Sequence, residues 1–313
     1  MIWGSLASNV AWSLGGIAGL LSVATAVVGV RARLHPELDL TELRLRVRSW
    51  WVIAAVFSAV IALGRTGTLV FFAFVSFLAL KEYFSLIPTR RADRRVLFWA
   101  YLAIPIQYLW VGLNWYGMFL MFIPVCLFLI LPMRMVINGE TKEFLRAAAT
   151  LHWGVMAMVF SLGHAAYLLN IAPENNPAGG GPGLLLFLVF LTQFNDVAQY
   201  VCGRTFGTHK IIPKVSPNKT WEGLIGGVVT TVTLAVALAA WLTPLTKWES
   251  LLAGLLIGLG GFVGDVTISA LKRDLAVKDS GTLIPGHGGI LDRVDSLTCT
   301  APLFFHFVRY LHG

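Results

Sequence analysis

The chain has 313 residues, of which 57% are apolar and only 13% are charged, and its formal net charge is +8. This composition excludes an ordinary soluble domain, because long apolar runs are typical of membrane proteins. The basic excess does not indicate a nucleic-acid partner, since the basic residues are distributed as membrane topology requires.

Ten apolar segments are candidates for membrane spans, because a helix that crosses about 30 Å of hydrocarbon needs about 20 residues. The second candidate is short and could be tilted, re-entrant or fused with the third, so nine and ten spans both remain open. The sequence predicts an all-α, polytopic integral membrane protein. The candidates lie at residues 9–30, 50–64, 67–84, 97–114, 116–132, 147–170, 184–203, 223–242, 250–270 and 295–311.

The basic side chains favour one orientation of these spans. With the N-terminus outside, every Lys and Arg falls in an inner segment except Arg65, Lys247 and Arg309. Because cytoplasmic loops are enriched in Lys and Arg, the long loops are predicted on the cytoplasmic face of the inner membrane. The segment 31–49, in which Leu and Arg alternate, is predicted to lie in the membrane interface as a helix or ribbon.

The two halves of the chain differ in character. Residues 1–170 are apolar spans joined by short basic loops, whereas residues 171–313 contain polar residues within spans and two charged, glycine-rich loops, 203–222 and 271–294. We expect one integrated membrane domain whose catalytic region is C-terminal. No internal repeat is evident, so a transporter built from inverted repeats is only a remote alternative.

Asp265 lies two helical turns before the inner end of the ninth predicted span. Ser269 and Lys272 follow at i+4 and i+7, on the same helix face. An unpaired carboxylate that faces lipid costs roughly 2.5–3.5 kcal/mol, so Asp265 is predicted to face an interior cavity. A role as metal ligand and a structural ion pair with Lys272 or an arginine both satisfy this requirement.

Asp292 and Asp295 are spaced i, i+3, so a helix that starts there would present both carboxylates on one side. Together with Asp265 they suit Mg²⁺, which binds one or two carboxylates and the oxygens of a polyphosphate. Asp279 is either a substrate contact or a partner in a loop salt bridge. The basic side chains that would neutralise phosphate charge are Lys272, Arg273, Lys278 and Arg293.

The sequence PGHGG at 285–289 is a candidate phosphate loop. Its glycines, Gly288 and Gly289, would allow backbone N–H groups to approach an anion closely. His287 would add a further donor. Alone, such a turn is weak support for a phosphate site, but its charged surroundings strengthen the prediction.

The other inner loop carries a second candidate anion site. Ser216, followed by a proline, is a helix-start signal, and the N-terminus of that helix would bind an anion with Lys219 nearby. Asn195 and Asp196 precede this loop at apolar depth and need polar partners. For Asp196, a structural hydrogen-bond role and a functional role both remain open.

Residues 269–296, SALKRDLAVKDSGTLIPGHGGILDRVDS, resemble the signature of the phosphatidate cytidylyltransferases, also called CDP-diacylglycerol synthases. Residues 195–223, NDVAQYVCGRTFGTHKIIPKVSPNKTWEG, resemble a second stretch of the same family. The resemblance implies an inner-membrane enzyme that condenses CTP with phosphatidic acid, giving CDP-diacylglycerol and pyrophosphate. It also implies a requirement for Mg²⁺. The metal centre, in which K⁺ can accompany Mg²⁺, would be held by Asp265, Asp292 and Asp295.

Two positions depart from the family's pattern. Ile268 stands where a glutamate is frequent, and Gln199 stands where a small residue is frequent. A missing carboxylate near the metals would lower metal affinity or weaken a substrate contact. The chain is therefore interpreted as a divergent branch or paralogue that keeps the reaction class.

The expected reaction is an in-line attack by a phosphate oxygen of phosphatidate on the α-phosphorus of CTP, without a strong general base. A CTP-dependent polyprenol or lipid kinase, which transfers the γ-phosphate to a hydroxyl, is the alternative. Membrane lipids are further expected partners, and a homodimer is left open. We assign catalytic roles to Asp265, Asp292, Lys272 and Arg273, metal ligation to Asp265, Asp292 and Asp295, and substrate contacts to Ser216, Lys219, Ser269, Lys278, Asp279, His287, Gly288, Gly289 and Arg293.

Overall fold

The fold is described from a computed structural model of the chain. The structure describes residues 7–37, 39–88, 94–137, 139, 141–171, 173–277, 279–281 and 288–313. Across these residues the regular secondary structure is helical, and Lys210 and Thr220 form an isolated antiparallel bridge. The predicted all-α class is confirmed.

The described chain is built from helices α1 Ser8–Leu34, α2 Thr41–Ala62, α3 Gly64–Leu86, α4 Arg94–Gly112, α5 Tyr116–Ile137, α6 Phe144–Asn170, α7 Gly180–Phe206, α8 Trp221–Leu242, α9 Lys247–Asp274, α10 Leu291–Val294 and α11 Leu297–His312. Two of them contain a wider turn of π-helix, α5 at Phe122–Leu127 and α6 at Met156–Phe160. In α5 the wide turn includes Pro124, which has no N–H to continue the regular ladder.

Each of the ten predicted spans corresponds to one long helix. Within the described residues, eight helices are long and apolar enough to cross a membrane, namely α1, α2, α3, α5, α6, α7, α8 and α9. The other two are α4 and α11, and α11 has 16 residues, about 24 Å, which is shorter than the hydrocarbon core. The chain is thus a multi-pass membrane protein.

The second predicted span is longer than the sequence suggested. Helix α2 begins at Thr41 and includes much of the segment in which Leu and Arg alternate, so this part is a helix and not a ribbon. Glu42 and Arg46 form an ion pair one turn apart, which supports the helical form. Because Leu63 separates α2 from α3, the fused alternative is wrong.

Helix α7 is central, and it packs against α8, α9 and α11. Glycines allow the neighbouring helices to approach closely. A Cβ atom on Gly254 of α9 would lie 2.7 Å from the Val232 Cα of α8, and one on Gly264 would lie 2.5 Å from the Asp295 carbonyl oxygen. Since membrane helices associate through such small residues, these contacts fix α9 against α8 and against the turn before α11.

The predicted helix start at Ser216 is wrong. Helix α8 begins one turn later, where the Thr220 Oγ1 accepts the Gly223 N–H at 3.1 Å as N-cap. Residues 216–219 form a turn, in which the Lys219 N–H donates to the Ser216 carbonyl at 3.3 Å. The backbone of Thr220 is extended by pairing across the loop, and a β-branched residue suits that conformation.

Candidate functional site

A charged cavity of about 230 Å³ lies between α7, α9 and α10. Asp265 lines it together with Asp292 and Asp295, the aspartates of a second motif about 30 positions later in the sequence. The described lining also includes polar residues of α7 that the sequence analysis did not assign to the site. The full lining is Gln193, Asp196, Asp265, Lys272, Asp279, Asp292, Arg293 and Asp295.

Asp265 forms an ion pair with Lys219, which follows the turn before α8. Its Oδ1 also accepts the Ser269 hydroxyl at 3.2 Å, as the predicted helix face allows. Lys272 lies at the same cavity, but it pairs with Asp292 and not with Asp265. Asp265 is therefore in an ion pair with Lys219, whereas the pair with Lys272 that the sequence left open is absent from the described residues.

The Lys219 ammonium also donates a hydrogen bond to the Gln199 Oε1 at 3.1 Å. Gln199 is buried, and it fits because α8 has Gly227 opposite, where a Cβ atom would lie 2.3 Å from the Gln199 Cγ. The other departure from the family pattern, Ile268, is fully buried in the apolar core. Gln199 thus supports a lysine of the site, whereas Ile268 supports the fold.

Asp292 is the most heavily hydrogen-bonded carboxylate of the cavity. Its Oδ1 accepts the Lys272 ammonium at 2.7 Å. Its Oδ2 accepts the Ser280 N–H at 2.9 Å, the Ser280 hydroxyl at 3.0 Å and the Gly289 N–H at 3.2 Å. Burial opposes its charge, but Lys272 and these amides hold the pKa of the Asp292 carboxyl below its ordinary value. Asp292 is therefore an anion that holds Ser280 and Gly289 together, although they are nine positions apart in the sequence.

Asp196 and Asp295 lie on either side of Ser296. The Ser296 hydroxyl oxygen lies 3.0 and 3.1 Å from the two Asp196 carboxylate oxygens. The Ser296 backbone N–H donates to the Asp295 Oδ1 at 2.7 Å. Asp196, Asp265 and Asp295 all line the cavity, which therefore brings three acidic side chains together. Asp196 thus combines a hydrogen-bonding role with a place in the cavity.

Glu82 of α3 reaches the same loop from the N-terminal half of the chain. Its Oε1 accepts the Ile290 N–H at 2.9 Å, and its Oε2 accepts the Leu291 N–H at 2.8 Å. The same Oε2 lies 3.1 Å from the Ser280 Oγ, whose single O–H is shared between Glu82 and Asp292. Sequence reasoning missed Glu82, because a glutamate beside a lysine at the end of an apolar span looks like an ordinary interfacial charge.

The described part of the glycine-rich loop donates to protein carboxylates. The Gly289 N–H donates to Asp292, and the next two amides donate to the α3 carboxylate. Gly288 has a φ of 79°, in the left-handed region that favours glycine. His287 and Lys278, predicted as substrate contacts, lie outside the described residues. Phosphate binding by this loop stays a prediction.

Four other predicted residues have different surroundings. Arg273 is exposed, and its Nε donates to the Val215 carbonyl at 3.1 Å, which joins α9 to the loop before α8. Neither Arg273 nor Ser216 is among the described residues that line the cavity. Asp279 lines the cavity and is exposed. Arg293 lines it too, and its buried Nε has no hydrogen-bond partner among the described residues.

The donor set of the cavity suits a hard divalent cation. Five of its described lining residues are carboxylates, whereas Lys272 and Arg293 are cations and Lys219 is paired to one of the carboxylates. Within the described residues, no three Asp, Glu, His or Cys side chains form a preassembled metal site. Mg²⁺ requires only one or two carboxylates, with water and phosphate completing its shell. The donors therefore fit Mg²⁺, and its ligation by Asp265, Asp292 and Asp295 stays a prediction.

Two apolar grooves adjoin the charged cavity. The larger, of about 650 Å³, lies between α2 and α3 and extends to α11, and the smaller, of about 360 Å³, lies between α1, α2 and α7. Gln193 lines both grooves and the cavity, and Arg293 lines the larger groove and the cavity. Arg48 of α2 adds a second cation to the larger groove. An amphiphile could therefore place its head in the cavity and its tails in the grooves.

Comparison with known sequences gives matches over most of the chain. A sequence model of the cytidylyltransferase family matches residues 44–311, a range that contains Glu82 and every described residue of the cavity. The uncharacterized protein YnbB of Escherichia coli strain K12 is 48% identical over 298 residues. That alignment covers 95% of this chain and 98% of YnbB.

The alignments with relatives whose names state an activity cover less of the chain. The phosphatidate cytidylyltransferases of Haemophilus influenzae and Synechocystis are 43% and 45% identical to this chain, over 133 and 141 residues. Those alignments cover 41% and 44% of this chain, and 46% and 47% of the two enzymes. The chain therefore spans about half the length of these phosphatidate cytidylyltransferases.

Proposed function

We propose, since the chain belongs to the cytidylyltransferase family, that it transfers the cytidylyl group of CTP to phosphatidate, giving CDP-diacylglycerol and pyrophosphate. The observation that carries this proposal is the junction of the charged cavity with the apolar grooves at Gln193 and Arg293. CTP is a water-soluble polyanion, whereas phosphatidate has an anionic headgroup and two acyl chains. A site for both must join a charged chamber to an apolar surface.

The lipid half of the site is the larger groove and its two arginines. Acyl chains would lie along the apolar walls of α2 and α3, and the headgroup would lie at Arg293. The buried Nε of Arg293, which has no hydrogen-bond partner within the described part of the chain, supports this placement, because a guanidinium matches the geometry of a phosphate. Gln193, whose Nε2 donates to the Arg293 carbonyl at 3.3 Å, holds this residue in place.

The nucleotide half of the site is the charged cavity with its lysines. Lys272 and Lys219 are held beside the cavity by Asp292 and Asp265, so their charges are already in place to neutralise incoming phosphates. Mg²⁺, when bound by aspartates of this cavity, would supply Lewis-acid stabilisation of the phosphate charge. Residues of the chain therefore bring two mutually repelling anions together.

The chemical step needs orientation more than proton transfer. A phosphate oxygen of phosphatidate attacks the α-phosphorus of CTP, and the bond from that phosphorus to the pyrophosphate oxygen breaks. The attacking phosphate is already ionised at neutral pH, so no side chain has to act as a strong base. Fixing the two substrates in line supplies much of the rate enhancement.

We place the cavity on the cytoplasmic side of the inner membrane. The basic residues support this orientation. Lys272 and Arg273 lie at the end of α9 that adjoins the segments richest in Lys and Arg, and such segments are typical of the cytoplasmic side. CTP is a solute of the cytoplasm, so the same orientation gives the nucleotide access to the cavity.

The proposed reaction is tested with CTP labelled separately at the α- and γ-phosphorus. Purified protein in detergent is incubated with dioleoyl-phosphatidate, or with a polyprenol, in the presence of Mg²⁺. We expect α-label to enter the lipid fraction only with phosphatidate, and γ-label to appear in pyrophosphate. Entry of the γ-label alone into polyprenol would establish the kinase alternative. Turnover in detergent would also exclude transport as the sole activity, since no membrane barrier is present.

A bulkier side chain in the larger groove is expected to weaken phosphatidate binding. Val56 of α2 lines this groove, so Val56→Trp should raise the KM for dioleoyl-phosphatidate roughly tenfold, the equivalent of about two lost methylene contacts. Dihexanoyl-phosphatidate, whose chains are short, should show little change. Val70→Trp is the matched control, because Val70 is exposed and does not line either groove. An equal effect on both lipids would contradict the groove assignment.

A further inference from the structure

We infer that Glu82 is a positioning residue for the transfer reaction, acting by holding the helix that carries Asp292 and Arg293. Its carboxylate accepts the Ile290 N–H at 2.9 Å and the Leu291 N–H at 2.8 Å, the amides of the N-cap and of the first residue of α10. It lies in α3, outside the charged motifs of the C-terminal region. The inference rests on the proposed function for its effect on turnover, but not for its effect on the loop.

The carboxylate of Glu82 is connected to the cavity through one hydroxyl group. Ser280 Oγ lies 3.1 Å from the Glu82 Oε2 and 3.0 Å from the Asp292 Oδ2, so it stands between the two carboxylates. Asp292 in turn pairs with Lys272. A shift of Glu82 therefore moves groups on both sides of the 281–288 loop and reaches the lysine of the cavity.

Two glycines leave space for the Glu82 carboxylate beside Ser280 and the start of α10. A Cβ atom on Gly289 would lie 2.3 Å from the Glu82 Oε2 and from the Ser280 Oγ, and one on Gly281 would lie 3.1 Å from the Glu82 Oε1. Glycine at both positions thus makes room for the carboxylate. Helix α3 is itself fixed at this point, because the buried Tyr83 donates its hydroxyl to the Thr150 carbonyl at 2.8 Å.

The direct test replaces Glu82 by Gln. An amide has one acceptor oxygen, and its NH₂ group cannot accept the N–H of Ile290 or Leu291, so at least one donor loses its partner. Hydrogen–deuterium exchange of the 288–292 amides should become at least about tenfold faster, because local opening is easier. In cytidylyl transfer to phosphatidate, kcat should fall at least about tenfold, since misplaced reacting groups lose orientation.

Glu249→Gln is the matched control, because it removes another capping carboxylate. Glu249 accepts the Thr246 N–H at 2.8 Å in the capping box of α9. It lies 16 residues before Asp265 along the helix, about 24 Å away. Both variants should lower the melting temperature by a similar amount, but only Glu82→Gln should lower kcat and speed exchange at 288–292.

Each outcome decides the inference. Unchanged exchange at 288–292, or equal kcat losses in Glu82→Gln and Glu249→Gln, would overturn it. If the wild-type protein transfers no cytidylyl group, the proposed function fails, and the exchange measurement still decides whether Glu82 holds the loop. Should Glu82→Gln not fold, Ser280→Ala removes only the connecting hydroxyl and is expected to give the same pattern with smaller changes.

Discussion

Replacement of Asp265 by Asn is expected to lower kcat for cytidylyl transfer by about 10²–10³-fold. Asp265 faces the charged cavity, accepts the Ser269 hydroxyl and holds Lys219 by an ion pair. The amide keeps the shape of the side chain but loses the negative charge that a divalent cation and Lys219 both require. Steady-state assays with CTP and phosphatidate, at a series of Mg²⁺ concentrations, measure the loss.

Two further variants separate chemistry from folding in this experiment. Asp274→Asn, at the exposed end of the same helix and away from the cavity, should keep nearly full activity. Asp265→Asn leaves the Lys219 ammonium without its carboxylate, so the added change Lys219→Met should restore part of any lost thermal stability, but no activity. A folded Asp265→Asn protein with normal, Mg²⁺-dependent turnover would refute the role of this carboxylate.

The parts of the site that sequence predicted are those that local geometry determines. Asp265 and Ser269 are one helical turn apart, so their contact follows from the helix period alone. The cost of a carboxylate in lipid required a polar surrounding for Asp265, and Lys219 and the cavity provide it. Within the described residues, the eight helices long enough to cross a membrane likewise follow from apolar length, since a helix satisfies its own backbone hydrogen bonds in a bilayer.

The remaining features depend on contacts between distant segments. Glu82 meets Ile290 across some 200 positions, and nothing near it in the chain marks that contact. The prediction of a helix start at Ser216 was wrong for a similar reason. Pairing across the loop extends the backbone of Thr220, so the N-cap lies at Thr220. Gln199 was noted as a departure from the family pattern, but its bond to Lys219 requires the packing of α7 against α8.

The junction between cavity and groove makes Arg293 the residue on which lipid binding should depend most. Its side chain lines both spaces, and its buried Nε has no hydrogen-bond partner among the residues that the structure describes. A charge-assisted hydrogen bond to a phosphate contributes about 1.5–3 kcal/mol, which corresponds to roughly 10- to 150-fold in affinity. We therefore expect Arg293→Met to raise the KM for phosphatidate at least about tenfold, with a smaller change in the KM for CTP.

The companion variants test why arginine is required. Arg293→Lys keeps the charge but loses the planar fork, so it should recover only part of the phosphatidate affinity. Arg33→Met, at the exposed end of α1, removes one positive charge away from the cavity and controls for general attraction of anionic lipid to a basic protein. A rise in the CTP KM alone after Arg293→Met would move this guanidinium to the nucleotide. Equal losses of phosphatidate affinity in Arg33→Met and Arg293→Met would show that Arg293 contributes only general positive charge. The headgroup would then have to bind elsewhere along the larger groove, where Arg48 is the other cation of the described lining.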